Sequence, residues 1–143
     1  MNIILARTSP RVKRYATLTV RDRVGVDKCA TGSPTRAKLK TRRCIRLGQW
    51  NVRGLNSLGK LSILSSELER LNVSICGLSE TKWSNYGHFT TRDGHTVLFS
   101  GSAEREHHGV AIWIHKSVAS CMISYNPHSN RVISATFATK PRM

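Results

Sequence analysis

The chain lacks the short motifs that mark several common enzyme classes. It has no phosphate-binding glycine loop, no dinucleotide fingerprint and no Ser-His-Asp constellation. These absences argue against a P-loop nucleotidase, a dinucleotide-dependent oxidoreductase and a triad hydrolase, and we expect no small-molecule cofactor. The apolar start, residues 1–6, is too short for a signal-peptide core or a membrane span. Secretion and membrane insertion are therefore not expected.

The cysteines also lack any pattern of disulfide or metal chemistry. The chain has 4 of them, with no C-x-x-C pair and no histidine at zinc-finger spacing: Cys29, Cys44, Cys76 and Cys121. The last three each lie in an apolar run, which favours a small buried side chain. We therefore expect reduced thiols and an intracellular protein, nuclear in the first place, with a mitochondrial location as the alternative.

Acidic side chains are scarce, and the excess of positive charge is uneven. The chain has 23 Lys and Arg against 8 Asp and Glu, a net charge of +15. The first 44 residues hold 12 of the basic and 2 of the acidic side chains, so their balance is 12 − 2 = +10. With little apolar periodicity, residues 1–43 are predicted to form a disordered basic arm before a folded part, residues 44–143. Such an arm binds DNA through its phosphates, without sequence preference.

Two other interpretations of the arm stay open. An Arg-rich, acid-poor segment with scattered hydroxyls is also typical of an organellar transit peptide. Alternatively, the arm is fused or read-through sequence without a selected role.

After the arm, the pattern predicts a strand, a helix and a second strand. Residues 45–52 are predicted to form a first strand, which ends where Gly54 lets the chain turn, and residues 73–78 are nearly all apolar, as in a strand buried on both faces. Between them, the leucines of residues 60–71 recur at steps of three and four and predict an amphipathic helix. A strand-helix-strand unit of this kind makes a parallel pair of strands.

Further along, four short runs rich in Val, Ile and aromatics predict more strands. They are residues 96–100, 109–115, 120–125 and 131–137, which we expect to form one antiparallel meander. The segment Asn126-Pro127-His128-Ser129-Asn130 is predicted to be the hairpin turn before the last strand.

Two polar residues follow the two strands of the parallel pair. Asn51 lies at the end of the first predicted strand, and Glu80 follows the second. Open α/β sheets place their ligands at the carboxyl ends of such strands. An amide oxygen and a carboxylate are the kind of oxygen ligands that Mg2+ or Mn2+ prefers. Taken singly, Asn51 is as well explained as a turn amide and Glu80 as an ordinary loop carboxylate.

The sequence around these two residues resembles the start of the endonuclease/exonuclease/phosphatase superfamily. Similar motifs are W-N-V-R-G-L from Trp50, S-E-T-K-W from Ser79, and the later strands G-V-A-I from Gly109 and N-R-V-I-S-A from Asn130. The resemblance is greatest to the endonuclease domains of LINE-type retrotransposons and to craniofacial development protein 2-like proteins. It implies an α/β sandwich in which Asn51 positions the reacting phosphate and Glu80 is a Mg2+ ligand.

The same resemblance also exposes what the chain does not contain. Family members have Asn or Asp two positions after the first Asn, where this chain has Arg53. They complete the site with an Asp-x-Asn pair, a later Asp and a terminal Ser-Asp-His, none of which occurs here. We therefore expect a truncated half of a four-layer α/β sandwich, a mixed sheet with one or two flanking helices whose inner face is partly open.

Two functions from different classes follow from these observations. The first is a fragment of a Mg2+-dependent DNA endonuclease or phosphodiesterase, inactive alone because downstream catalytic groups are absent. The second is a non-catalytic basic nucleic-acid-binding protein or retroelement relic.

Several other side chains have weaker claims to a role. Arg53, Lys82, Tyr125 and Arg131 are predicted nucleic-acid contacts, with solvated charge or structural pairing as the alternative. Trp50 and Trp83 could stack on bases, but packing is the commoner use of Trp. The adjacent His107 and His108 are not expected to share a metal, because neighbouring residues of a strand point to opposite faces.

Overall fold

The chain folds as two stacked β-sheets with helices beside them. The computed structural model describes residues 2–7, 16–21, 45–103 and 108–138, the first two ranges as strands alone. In chain order the elements are β1 (Asn2–Arg7), β2 (Ala16–Arg21), β3 (Leu47–Asn51), α1 (Lys60–Arg70), β4 (Ile75–Ser79), β5 (Tyr86–Thr90), β6 (Thr96–Ser100), β7 (Val110–Ile114), α2 (Lys116–Ala119), β8 (Met122–Ser129) and β9 (Val132–Phe137). The first sheet has the strand order β3-β4-β7-β6-β5, and the second has β2-β1-β9-β8. The predicted α/β class, with a mixed sheet and flanking helices, is confirmed.

The predicted strand-helix-strand unit is present, with ends shifted by one or two residues. Strands β3 and β4 are parallel, and their register pairs Asn51 with Ser79. Leu64 and Leu68 of α1 are buried, as the leucine spacing requires. All five residues of β4 are buried, which agrees with the prediction of a strand covered on both faces.

The central strand β7 explains how three layers pack together. Its residues alternate between faces, so Val110, Ile112 and Ile114 join one apolar cluster with β9. Ala111 and Trp113 join a second cluster with α1. The layers are therefore α1, the first sheet and the second sheet. The buried Trp113 indole also donates a hydrogen bond from Nε1 to Ser65 Oγ of α1, 3.1 Å away.

The predicted single meander is wrong, because β8 and β9 leave the first sheet. Strands β6 and β7 pair with each other in the first sheet, whereas β8 and β9 pair in the second. Ile133, Ala135 and Phe137 of β9 are buried against the first sheet. The expectation of a partly open inner face is therefore also wrong at these positions, since β9 covers the side chains that β4, β6 and β7 turn toward it.

The predicted hairpin turn is displaced toward the C-terminus. Strand β8 continues through Pro127, and the turn lies at Asn130 and Arg131. The register shifts twice along the β8 and β9 pair, once between Pro127 and Ser129. Strand β8 is the edge of its sheet, and edges and bulges are where a strand can contain proline.

Parts of the basic arm pair with the second sheet. Strand β1 lies antiparallel to β9, and β2 lies antiparallel to β1. The other residues of the arm lie outside the described residues, so the prediction that those residues are disordered stays a prediction. No helix in the described parts of the chain is long and apolar enough to cross a membrane.

The thiols that the structure describes are buried. Cys76 and Cys121 are free and covered, as predicted, whereas Cys29 and Cys44 lie outside the described residues. Burial raises the pKa of the Cys76 thiol to about 12. Because the thiolate is the reactive form, Cys76 is a packing residue rather than a nucleophile.

Candidate metal and phosphate site

The carboxyl ends of β3 and β4 form one continuous edge, which we call the strand-end rim (residues 51–55, 79–82 and 108–109). Backbone pairing continues past both strands: Val52 N donates to Ser79 O at 3.0 Å, Gly54 N to Glu80 O at 2.6 Å and Leu55 N to Thr81 O at 3.0 Å. The parallel register therefore brings the segments of Asn51 and Glu80 side by side. Both side chains are half-buried.

Residues 108–109 close the other flank of the rim. Thr81 N donates to Gly109 O at 3.2 Å, and Lys82 N donates to His108 O at 3.1 Å. Glu80 therefore lies between two segments that are both held by backbone hydrogen bonds. A backbone that is hydrogen-bonded on both sides restricts the positions that the Glu80 carboxylate can occupy, and this favours a defined ligand position.

The rim also concentrates unusual backbone conformations. Arg53, Glu80 and Lys82 all have positive φ angles, 50°, 59° and 60°. Each such angle costs a non-glycine residue about 1 to 3 kcal/mol and persists only where surrounding contacts enforce it. Strain of this kind clusters at functional sites, and here it occurs in the segments that carry the predicted ligands.

Gly109 is required by the packing of the rim. Its φ is +124°, and a Cβ placed there would lie 2.5 Å from Thr81 Oγ1. Thr81 is fully buried, and its hydroxyl has no hydrogen-bond partner among the residues that the structure describes. The close approach of the two residues is what lets the segment after β4 lie against the start of β7.

The Asn51 side chain already takes part in a local turn. Its Oδ1 accepts a hydrogen bond from Arg53 N at 3.1 Å. This is the turn role that Asn commonly has at a strand end. An amide oxygen has two lone pairs, so this bond leaves one that could accept from or coordinate a ligand.

Basic side chains lie along the same rim as its one carboxylate. Arg53 and Lys82 are exposed, and the Lys82 side chain passes close over Gly54, where an added Cβ would lie 3.2 Å from Lys82 Cδ. Lys60, the first residue of α1, places its Nζ 3.5 Å from Gly54 O. Three basic residues along the rim suit a phosphate group better than a cation alone. Sequence reasoning missed Lys60, because its position in the helix does not show that α1 begins at the rim.

The oxygen atoms of the rim suit a hard divalent cation, but they are too few to bind it tightly. Glu80 supplies a carboxylate and Asn51 an amide oxygen, both suitable for Mg2+. Within residues 45–103 and 108–138, three side chains of His, Cys, Asp or Glu come close enough to share an ion. They are Glu69, His95 and His115, and none of them belongs to the rim. The rim thus offers one carboxylate, where tight sites of this kind combine several.

The two other predicted nucleic-acid contacts lie at different distances from the rim. Arg131 is exposed in the turn that follows β8, and Ser129 O, at the end of β8, accepts a hydrogen bond from Ser100 Oγ at 2.8 Å. Val110 is the register partner of both Ser100 and Ser79, so Ser100 lies at the rim end of the first sheet. The turn with Arg131 is therefore at the same end of the molecule as the strand-end rim. Tyr125 instead lies midway along β8, where its hydroxyl is 3.0 Å from His88 Nδ1. The structure therefore does not bring Tyr125 to the rim.

The structure shows a packing role for one of the two tryptophans that were candidates for stacking on bases. Trp83 lies edge-on to Phe89 and Phe99, with ring centroids 5.7 and 5.5 Å apart, which is the packing alternative. Trp50 is exposed on β3. His107 lies outside the described residues, so the expectation about the His107 and His108 pair stays a prediction.

An α/β protein with stacked sheets and a polar rim at the ends of two parallel strands is the class that this geometry defines. Residues 48–138 match the model of the Endonuclease/Exonuclease/phosphatase family, and the chain belongs to that family. It is also similar to craniofacial development protein 2 of Bos taurus, with 38% identity over 95 residues, and to that of Tragulus javanicus, with 37% identity over 95 residues. The match covers 66% of this chain but 16% of either relative. No solved structure matches the chain.

Proposed function

We propose that the chain carries the first part of a Mg2+-dependent phosphodiesterase-type site, which binds phosphate and a divalent cation weakly and does not hydrolyse DNA by itself. One observation carries the proposal. The β3 and β4 register aligns Asn51 with Ser79, so that Asn51 and Glu80 share the strand-end rim. The family match covers both residues.

Each side chain of the rim has a distinct part in this proposal. Glu80 holds the cation, and the amide N–H groups of Asn51 donate to a phosphate oxygen and orient it. Arg53, Lys60 and Lys82 neutralise the phosphate diester. When bound, Mg2+ polarises a phosphate oxygen and stabilises the charge that develops on it.

Binding alone does not give turnover, because proton transfer needs further groups. A general base must activate water and a general acid must protonate the leaving oxygen. The family residues that would do this, Asp-x-Asn and Ser-Asp-His, do not occur in these 143 residues. The chain spans about a sixth of the curated relatives it matches, so the activity of those longer proteins is not carried over.

We expect the 143-residue chain to leave supercoiled plasmid intact in the presence of Mg2+. Each missing acid or base costs about 10^2 to 10^4-fold in rate, so two missing groups put the reaction below detection. The assay compares the chain with Glu80→Ala and follows the relaxed form over time. Nicking by the unmodified chain above that of Glu80→Ala would contradict the proposal, because it would show that the rim alone completes the site.

A second candidate function is a non-catalytic protein that binds DNA through its arm. The observation that favours it is the +10 charge balance of the first 44 residues, counted as 12 basic minus 2 acidic side chains. Counterion release makes such binding salt-sensitive and independent of sequence. In this case the rim adds little affinity, and the arm carries nearly all of it.

A further inference from the structure

A second polar cluster lies at the end of the first sheet opposite the strand-end rim. Ile75, Ile114 and Thr96 are register partners across β4, β7 and β6, at the end away from Ser79 and Val110. His95 precedes β6 and His115 follows β7, so both lie just beyond this end. Four strand steps separate Val110 from Ile114, so the cluster is at least about 13 Å from the rim at about 3.3 Å per residue.

Three potential ligand atoms converge in this cluster. Glu69, in the last turn of α1, brings Oε1 to 3.1 Å from His95 Nε2 and to 3.7 Å from His115 Nε2. The ligand atoms of the three residues all lie within 4.8 Å of one another. Two ligands of one tetrahedral ion, each bonded at about 2.0 to 2.1 Å, are about 3.4 Å apart. The two Glu69 distances are within about 0.3 Å of this spacing, and the two histidine nitrogens, which lie within 4.8 Å of each other, must approach to it.

His95 is the most informative member, because it is fully buried and its Nε2 makes no hydrogen bond within the part of the chain that the structure describes. The nearest partner of this nitrogen is Glu69 Oε1, 3.1 Å away, which forms an ion pair with it only if the imidazole is protonated. Buried polar atoms nearly always have a hydrogen-bond partner, so this contact calls for an explanation. An ion held by both the ring nitrogen and the carboxylate oxygen would supply one.

The two imidazoles are held in place by packing. The His95 ring lies 4.6 Å from the Trp113 ring, between centroids, and the His115 ring lies 5.0 Å from that of His95. Trp113 is itself anchored through its hydrogen bond to Ser65. A ligand position fixed by buried neighbours loses little entropy on binding, which favours a site over a chance encounter of side chains.

The second nitrogen of the His115 ring also has partners that fix the ring. His115 Nδ1 accepts from Ser117 N at 3.2 Å and lies 2.7 Å from Ser117 Oγ, which accepts the ring proton if the proton moves to Nδ1 and leaves Nε2 for an ion.

Three contacts compete with an ion and limit its affinity, and the hydrogen bond from Ser117 N to His115 Nδ1 is the first of them. His95 Nδ1 accepts from Lys116 N at 3.3 Å, and this bond must be lost if the ring proton moves to Nδ1. Lys116 Nζ lies 3.6 Å from Glu69 Oε1 and neutralises the carboxylate that an ion would use. The Lys116 side chain is therefore the competitor that a substitution can remove.

We propose that Glu69, His95 and His115 form a binding site for one borderline divalent ion of the Zn2+ or Co2+ type, with water as the fourth ligand. Two imidazoles and one carboxylate are a donor set that such ions favour and Mg2+ does not. The site is separate from the strand-end rim in position and in the class of ion it takes. It does not depend on the proposed phosphodiesterase-type function.

The test is a titration of the full chain with Zn2+ by calorimetry and with Co2+ by visible absorption, where four-coordinate Co2+ absorbs strongly. We expect one site whose affinity falls at least about 10 to 100-fold in Glu69→Gln, the range that even outer-sphere partners of metal ligands can cause. Glu67→Gln is the matched control, because Glu67 lies in the same helix but pairs with Arg70. Lys116→Met, which removes the competing cation, should bind more tightly than the unmodified chain.

Two further variants keep the outcome interpretable. His115→Gln changes a half-buried residue and should lose affinity like Glu69→Gln, while thermal unfolding without metal shows that each variant is folded. Glu80→Gln should bind Zn2+ as the unmodified chain does, so failure at this cluster is distinguishable from failure at the rim. Absence of binding, or equal affinity in Glu69→Gln and the unmodified chain, would overturn the proposal.

Discussion

Gly109→Ala is expected to destabilise the folded part of the chain by about 2 to 4 kcal/mol, the sum of a backbone cost and a steric cost. The backbone cost arises because Gly109 has a φ of +124°, which side chains rarely tolerate. The steric cost arises because the new methyl group would lie 2.5 Å from Thr81 Oγ1 and 3.2 Å from Lys82 N. Lys82 N belongs to the backbone, so the strand-end rim itself must move.

Gly59→Ala separates these two costs. Gly59 also has a positive φ, +85°, but an added Cβ there would meet nothing within 4 Å. It should therefore lose only the backbone term, about 1 kcal/mol. Denaturant unfolding of both variants measures the difference. If Gly109→Ala is no less stable than Gly59→Ala, the close packing of residue 109 against Thr81 is not a feature of the folded protein.

Neutralising the arm is expected to weaken DNA binding by at least about 100-fold at low salt. A protein that contacts six to ten phosphates loses about 10^3 to 10^5 in affinity between 50 and 200 mM salt, so the arm should dominate both affinity and salt slope. The change replaces with Gln the basic side chains of residues 22–43, which are Arg23, Lys28, Arg36, Lys38, Lys40, Arg42 and Arg43. It is preferable to deletion of residues 1–43, because β1 and β2 pair with the second sheet and would be lost.

The matched control removes charge at the rim instead. A chain with Arg53→Gln, Lys60→Gln and Lys82→Gln should bind DNA with nearly the original salt slope if the arm is the main contact. Fluorescence anisotropy with two unrelated duplexes, over a salt titration, gives affinity, slope and sequence dependence together. Equal slopes for the unmodified and arm-neutralised chains would refute the role of the arm.

The strand-helix-strand unit could be predicted because its signals are local. Leu64 and Leu68 are one turn apart, so the helix period is visible in the sequence, and the apolar run of β4 is bounded by polar residues. A parallel pair then follows from connectivity, and it places Asn51 and Glu80 at one edge. For this reason the position of the rim could be predicted. Its positive φ angles and the contact of Lys60 with Gly54 could not be predicted.

Sheet membership could not be predicted in the same way. The alternation of β9, with Ile133, Ala135 and Phe137 inward, indicates a half-buried strand but not the sheet it joins. Helix α2 and the buried Cys121 redirect the chain between β7 and β8, and nothing in the local pattern of residues 115–121 indicates that change. The Glu69, His95 and His115 cluster was missed for a related reason, since its members come from three elements distant in sequence.

The most direct measurement of the central claim is an NMR titration with Mn2+ of the folded Glu69→Gln chain, in which the Glu69, His95 and His115 cluster has lost its carboxylate. The claim is that Asn51 and Glu80 share one weak divalent site, so broadening should begin at the amides of Asn51, Gly54, Glu80 and Thr81. One carboxylate supports only about millimolar affinity. The early broadening should disappear in Glu80→Gln and persist in Glu67→Gln, its matched control in α1. Broadening that starts elsewhere, or that is the same in Glu80→Gln, would contradict the claim that the strand-end rim is the inherited metal site.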